Sequence, residues 1–153
     1  MVFTILYKYL CCNSKSHLDN ITMNNTIPFI PPVKECKVIK VYDGDTITIG
    51  CYLFGEKTPY RLSVRLRGID SPELKTKNKN EHDHACISRD KLSEHILNKT
   101  IILENVATEK YGRILADVIY NGKNMNQWMV QNKYAVGYDG GTKQRDPSWD
   151  IAV

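Results

Sequence analysis

The chain lacks any apolar run near the length of about 20 residues that spans a bilayer. Its most apolar stretch, Met1 to Cys12, is short and broken by Lys8. It has neither a basic start nor a small-residue cleavage site, so it is not read as a secretory leader. Cysteines are few and odd in number: Cys11, Cys12, Cys36, Cys51 and Cys86. No pair has zinc-knuckle spacing, and adjacent Cys11 and Cys12 are poorly placed to pair with each other. Free thiols in a reducing, intracellular compartment are therefore expected. An apolar segment ending in Cys-Cys is also a substrate for acylation, so peripheral membrane contact through Cys11 and Cys12 is a secondary expectation. The chain also lacks a strong charge of either sign. A net charge of +4 over 153 residues permits a polyanionic partner without demanding one.

What is present is an ordinary globular composition, 42% hydrophobic and 25% charged, with the length of about one domain. Residues 1–32 are expected to form a tail or linker. Ser, Asn, Thr and His dominate from Asn13, and Pro28, Pro31 and Pro32 close the segment. The domain is expected over 33–153.

Alternation and β-branched residues predict strands from Lys34 to Ile49, with Cys36, Val38, Lys40 and Tyr42 sharing a face. Asp43-Gly44 interrupts them, and the glycine is expected to supply a positive φ. Tyr60 to Ile69 reads as one long strand with Leu62, Val64 and Leu66 inward, opposite Arg61, Ser63, Arg65 and Arg67. Leu74 to Glu81, with Lys75, Lys77 and Lys79, reads as a mobile basic loop. Asp83 is the expected N-cap of a helix reaching Asn98, with Ala85, Ser88, Leu92, His95 and Ile96 on one face. His82, His84 and Cys86 have a spacing that does not converge on a metal. Strands follow at Ile101–Leu103 and Arg113–Tyr120, the latter ended by the hairpin signal Asn121-Gly122. Asn124 caps a short helix with Met125, Trp128 and Met129 as core, and Tyr134–Val136 is a last strand before a polar tail containing Trp149. The fold class is α+β, mainly β: five strands closing a small barrel, with two or three short helices.

Three stretches carry chemistry. Asp43-Gly44-Asp45-Thr46 has two carboxylates on a turn, which by itself is ordinary turn chemistry. Arg65 to Glu73 ends an arginine-bearing strand on Asp70, Ser71 and Glu73. Lys110-Tyr111-Gly112-Arg113 adds a second guanidinium, a phenol and an ammonium. A hard cation such as the calcium ion (Ca2+) takes oxygen ligands. Asp45 and Asp70 can supply them with the Ser71 carbonyl, and Asp43 can hold a coordinated water. The spacing does not match a twelve-residue EF-hand loop. Arginine forks grip phosphate oxygens, so Arg65 and Arg113 are the natural pair, leaving Glu73 to orient or deprotonate water.

Order and spacing of these motifs resemble the staphylococcal nuclease (thermonuclease) family over about Val33 to Tyr138. The resemblance implies an OB-fold barrel cutting DNA and RNA with Ca2+ and leaving 3′-phosphate ends. It implies Asp45, Asp70 and the Ser71 carbonyl as metal ligands, with Asp43 in the outer shell. Glu73 becomes the general base, and Arg65 and Arg113 contact the phosphate. Lys110, Tyr111 and Tyr138 fall at substrate-binding positions. The family's longer C-terminal helix has no counterpart here, and Trp149 is expected to replace part of its packing. A non-catalytic OB-fold module that binds nucleic acid or protein is the alternative, and the intact acid–arginine set argues against it. No feature distinguishes DNA from RNA as the target or specifies an oligomeric state.

Overall fold

The structure is a computed structural model that describes residues 17–109, 111–141 and 145–153. In chain order its elements are β1 (Glu35–Val41), β2 (Thr46–Cys51), β3 (Tyr60–Leu66), β4 (Ile69–Asp70) and α1 (Lys79–Ile96). Then come β5 (Thr100–Thr108), β6 (Ile114–Tyr120), β7 (Lys123–Asn124), α2 (Met125–Gln131) and β8 (Val136–Gly137). The sheet order is β3-β2-β1-β5-β6-β7, and β3 pairs with β6 to close a five-stranded barrel. This closing pair is parallel and matches Val64, Arg65 and Leu66 to Ile114, Leu115 and Ala116. The other barrel pairs are antiparallel. The architecture is the expected OB-fold α+β barrel.

Alternating side chains fill the barrel. Val38, Ile47, Ile49, Val64, Leu66 and Val118 are inaccessible. Each such side chain contributes roughly 1.5–3 kcal/mol by leaving water. Leu92 and Ile96 of α1 and Met125 and Met129 of α2 cap this core. Trp128 stays at its edge, against His95 and Tyr134.

Several local expectations change, each for a physical reason. The register of β1 slips between Val38 and Lys40, so Val41 turns inward and Tyr42 outward, against simple alternation. The strand expected from Tyr60 to Ile69 breaks at Gly68, whose φ is +75°. The chain turns there and restarts as β4, paired with β8. The last strand is Val136–Gly137 rather than Tyr134–Val136. The cap of α1 is Asn78, not Asp83: its side chain accepts from the Glu81 amide at 3.2 Å. The stretch read as a loop to Glu81 therefore ends earlier, and Lys79 already belongs to the helix. The tail holding Trp149 forms a short 3-10 helix, Pro147–Asp150, and buries that ring.

Among the described residues Cys36, Cys51 and Cys86 are free thiols. No described helix is long and apolar enough to cross a membrane. Cys11, Cys12 and Lys110 lie outside the described residues.

Candidate active site

The Asp43–Thr46 turn sits at one mouth of the barrel. The Tyr42 amide donates to the Thr46 carbonyl (2.9 Å), and the Asp45 amide donates to Asp43 Oδ1 (3.1 Å). Gly44 is needed here for space, since its φ is not positive. A Cβ at this position would meet Ser88 Oγ of α1 at 1.9 Å and Ser71 Cβ at 2.7 Å. The turn is thereby pressed against both α1 and the Ser71 loop.

Asp45 is buried, and each of its oxygens has a partner. Oδ1 accepts from the Thr46 hydroxyl at 2.8 Å. Oδ2 meets Arg65 Nη1 at 2.6 Å and the Ser71 amide at 3.2 Å. The same guanidinium reaches Asp70 Oδ1 and the Ile69 carbonyl, both at 3.1 Å. Arg65 thus bridges two buried aspartates from the end of β3. Burial opposes its charge, but the Asp45 and Asp70 carboxylates outweigh that and hold its pKa above the usual range. Asp43 is pushed up to about 7, first by burial and then by the neighbouring Asp45 carboxylate.

Arg113 approaches from the start of β6. Its Nε and Nη2 hold Glu109 Oε2 and Oε1 at 2.7 and 2.8 Å, and its Nη1 reaches the Thr46 hydroxyl at 3.4 Å. The β3–β6 closure brings the two arginines to one mouth. Tyr138 covers the far side, with Arg65 Cζ 5.7 Å from its ring centre and its hydroxyl donating to the Gly141 carbonyl at 2.9 Å. Tyr111 and Glu73 stand exposed on the rim.

Together Asp43, Asp45, Arg65, Asp70, Ser71, Glu73, Tyr111, Arg113 and Tyr138 line one cleft of about 360 Å³. Every candidate residue from the sequence lines it except Lys110, which is outside the described residues. Tyr42 and Glu109 also line it and were not anticipated. A signal for Glu109 exists in hindsight: it stands four residues before Arg113. The pair meets across a tight turn rather than along a helix, with the Gly112 amide donating to the Glu109 carbonyl (2.9 Å) and Gly112 at φ +78°. The basic residues Lys75, Lys77 and Lys79 do not line the cleft.

The donor set fits a hard cation. The carboxylates of Asp43, Asp45 and Asp70 and the backbone of Ser71 offer it oxygens only. Among the described residues, no three His, Cys, Asp or Glu converge as a metal cluster. Asp45 and Asp70 would therefore act with backbone oxygen and water rather than form an all-protein cage.

The sequence matches the profile of the family described as Staphylococcal nuclease homologue over residues 63–149. It is 35% identical over 103 residues to a Haemophilus influenzae protein named an uncharacterized endonuclease, covering 67% of this chain and 52% of that protein. An Escherichia coli protein of the same name is 34% identical over 106 residues, covering 67% of this chain and 60% of its own length. The thermonuclease of Staphylococcus hyicus is 34% identical over 91 residues, 58% of this chain and 50% of that protein. The chain thus spans about half to three fifths of the length of these relatives. With more than half of its residues matched to the profile and the motifs gathered in one cleft, the chain belongs to the staphylococcal nuclease homologue family.

Proposed function

We propose that this protein is a Ca2+-dependent phosphodiesterase that hydrolyses DNA and/or RNA, prefers single-stranded or open regions, and leaves 3′-phosphate ends. The observation that carries the reading is the convergence of two guanidinium groups, two buried aspartates and an exposed glutamate on one cleft. The names endonuclease and thermonuclease borne by its relatives point the same way.

A phosphodiester is anionic, so its attack by water requires neutralisation of charge and a place for the proton. In this reading Arg65 and Arg113 grip the phosphate oxygens from different strands. Each must then exchange a carboxylate partner for the phosphate. Arg113 leaves Glu109, and Arg65 loosens from Asp45 and Asp70. Glu73 accepts a proton from the attacking water. The hydroxide forms a bond to phosphorus, the P–O5′ bond breaks, and the 5′-oxygen leaves as a hydroxyl after taking up a proton. The phosphate stays on the 3′ side. Asp45, Asp70 and the Ser71 carbonyl would hold Ca2+, with Asp43 orienting a coordinated water. When bound, the ion supplies charge stabilisation for the developing oxyanion and orientation of the water. Tyr138 and Tyr111 offer faces and a hydroxyl to the nucleotide beside the cut, and Lys110 an ammonium.

The test is cleavage of a labelled single-stranded DNA and the matching RNA by purified protein, with Ca2+ and then with EGTA. Product ends are read by phosphatase sensitivity. Cleavage that needs Ca2+, yields 3′-phosphate ends and falls by about 10²–10³-fold in Arg113→Ala supports the proposal. Binding without cleavage, unchanged in the variant, would reassign the chain as a non-catalytic binding module.

A further inference from the structure

Glu81 is the buried acid of α1, and nothing in the reaction above uses it. It sits in the first turn, where the helix dipole favours a carboxylate. The dipole does not explain what its oxygens reach. Oε1 accepts from the Glu73 amide at 3.3 Å. Oε2 accepts from the Thr76 hydroxyl at 2.8 Å and from Arg145 Nε and Nη2, both at 3.0 Å. One carboxylate therefore holds both the start and the middle of the 73–78 loop, and ties that loop to a segment near the C-terminus.

The C-terminal segment is held in turn. Arg145 Nη1 contacts Asp150 Oδ1 at 2.8 Å. Asn78 Nδ2 donates to the same carboxylate, and Asn80 Nδ2 to the Asp150 carbonyl, both at 2.6 Å. His84 Nε2 lies 3.1 Å from the Ile151 carbonyl. Trp149 is only 2% exposed and anchors the segment. Polar contacts at the start of α1 thus fasten a strap whose arginine lies against Glu81.

We infer that Glu81, backed by Arg145, is a positioning residue for Glu73. This rests on the reading of Glu73 as the proton acceptor. Glu73 is exposed, and its loop belongs to no strand ladder. A reacting carboxylate must nevertheless be held to a fraction of an ångström. The bond from its amide to a buried, ion-paired carboxylate supplies that constraint. Arg145 makes the arrangement stable, since a buried carboxylate without a cationic partner is costly.

The test uses the full chain with Glu81→Gln, Arg145→Ala and Glu73→Ala. It measures kcat and KM on labelled single-stranded DNA with Ca2+, and amide hydrogen exchange of the metal-free protein. Arg145→Ala leaves the Glu81 carboxylate without its cation while Glu81→Gln removes the charge itself, so the melting temperature of each variant is read beside its kcat. The expected result is a fall in kcat of about tenfold to hundredfold with KM within about twofold, in both Glu81→Gln and Arg145→Ala. Exchange across 72–78 should quicken while the barrel strands stay protected. Unchanged kcat in both variants beside an inactive Glu73→Ala would overturn the positioning role alone. Full activity in Glu73→Ala would overturn the reading of Glu73 itself, and the inference with it. A loss of kcat that tracks only a lower melting temperature, with exchange over 72–78 unchanged, would also overturn it.

Discussion

The two walls of the cleft are built on different principles. The wall of Asp45, Arg65 and Asp70 stands at the barrel mouth, on the turn before β2, the end of β3 and the short β4. Its side chains are buried or nearly so, and the Arg65 guanidinium has partners at 2.6 and 3.1 Å. The rim of Glu73 and Tyr111 belongs to loops, and its side chains face solvent. Charge that must stay fixed without a substrate is placed where the strand ladder and the low dielectric hold it. The group proposed to move a proton is placed where water can reach it, on a loop whose backbone is tied to α1.

The largest break in this contrast is expected from Arg65→Ala. It strips two buried aspartates of their shared cation, and breaking a buried pair from one side costs about 3–5 kcal/mol. Cleavage should fall by about 10²–10³-fold or more. Urea denaturation without metal should show the stability loss. Ca2+ should raise the melting temperature of this variant more than that of the unsubstituted protein, because the bare carboxylates bind the cation without competition. An equal rise in both would argue against Arg65 and the ion sharing one charge site.

Glu73→Gln should separate the two walls. Its activity should fall by about 10²–10⁴-fold, while stability changes by no more than about 0.5 kcal/mol, as for an ordinary surface position. A large stability loss would move Glu73 from the loop-like to the barrel-like class.

Gly44→Ala probes the junction, where the turn, the Ser71 loop and α1 meet. A Cβ overlapping Ser88 and Ser71 forces one of them to shift, at a cost of about 1–3 kcal/mol. Thermal melts should show a drop of several degrees. An unchanged melt would mean that the contact yields freely.

The smallest effect lies far from the cleft. Burial, then Cys51 and Glu35, push the Cys36 thiol up to about 12 from 9.0. The thiolate form therefore favours the unfolded chain. This contribution to stability is intact below about pH 9 and is lost progressively as pH rises towards about 12. Chemical denaturation at pH 8 and 10.5 should show the decline, and Cys36→Ala should flatten it. At neutral pH, Cys36 and Cys51 should resist alkylation in the folded protein, whereas the half-buried Cys86 should react.

Much of this was legible from local pattern. The alternation of β2, the Asn121-Gly122 hairpin and the Asn124 cap are short-range signals, and the structure repeats them. Asn121 and Gly122 both take positive φ, as such a turn requires. The departures occur where a distant element overrides the local pattern. The β1 bulge reverses Val41 and Tyr42. Glu81 looked like the end of a solvated basic loop because nothing apolar anchors the stretch from Leu74 to Glu81. Its partner, Arg145, comes from the far end of the chain. Glu109 was passed over because an acid four residues before an arginine is read as a pair only on a helix.

The sequence by itself determined which groups are available: oxygen ligands on two turns, two arginines and a glutamate. It also determined the strands that carry them, because side-chain period and turn chemistry are local properties. Only the tertiary structure decided that these groups share a cleft. The parallel pairing of β3 with β6 closes the barrel and sets Arg65 beside Leu115, hence next to the strand that Arg113 opens. No local preference encodes such a pairing. It follows from burying one continuous core of Val64, Leu66, Ile114 and Ala116, and the charges at the barrel mouth are carried along with it.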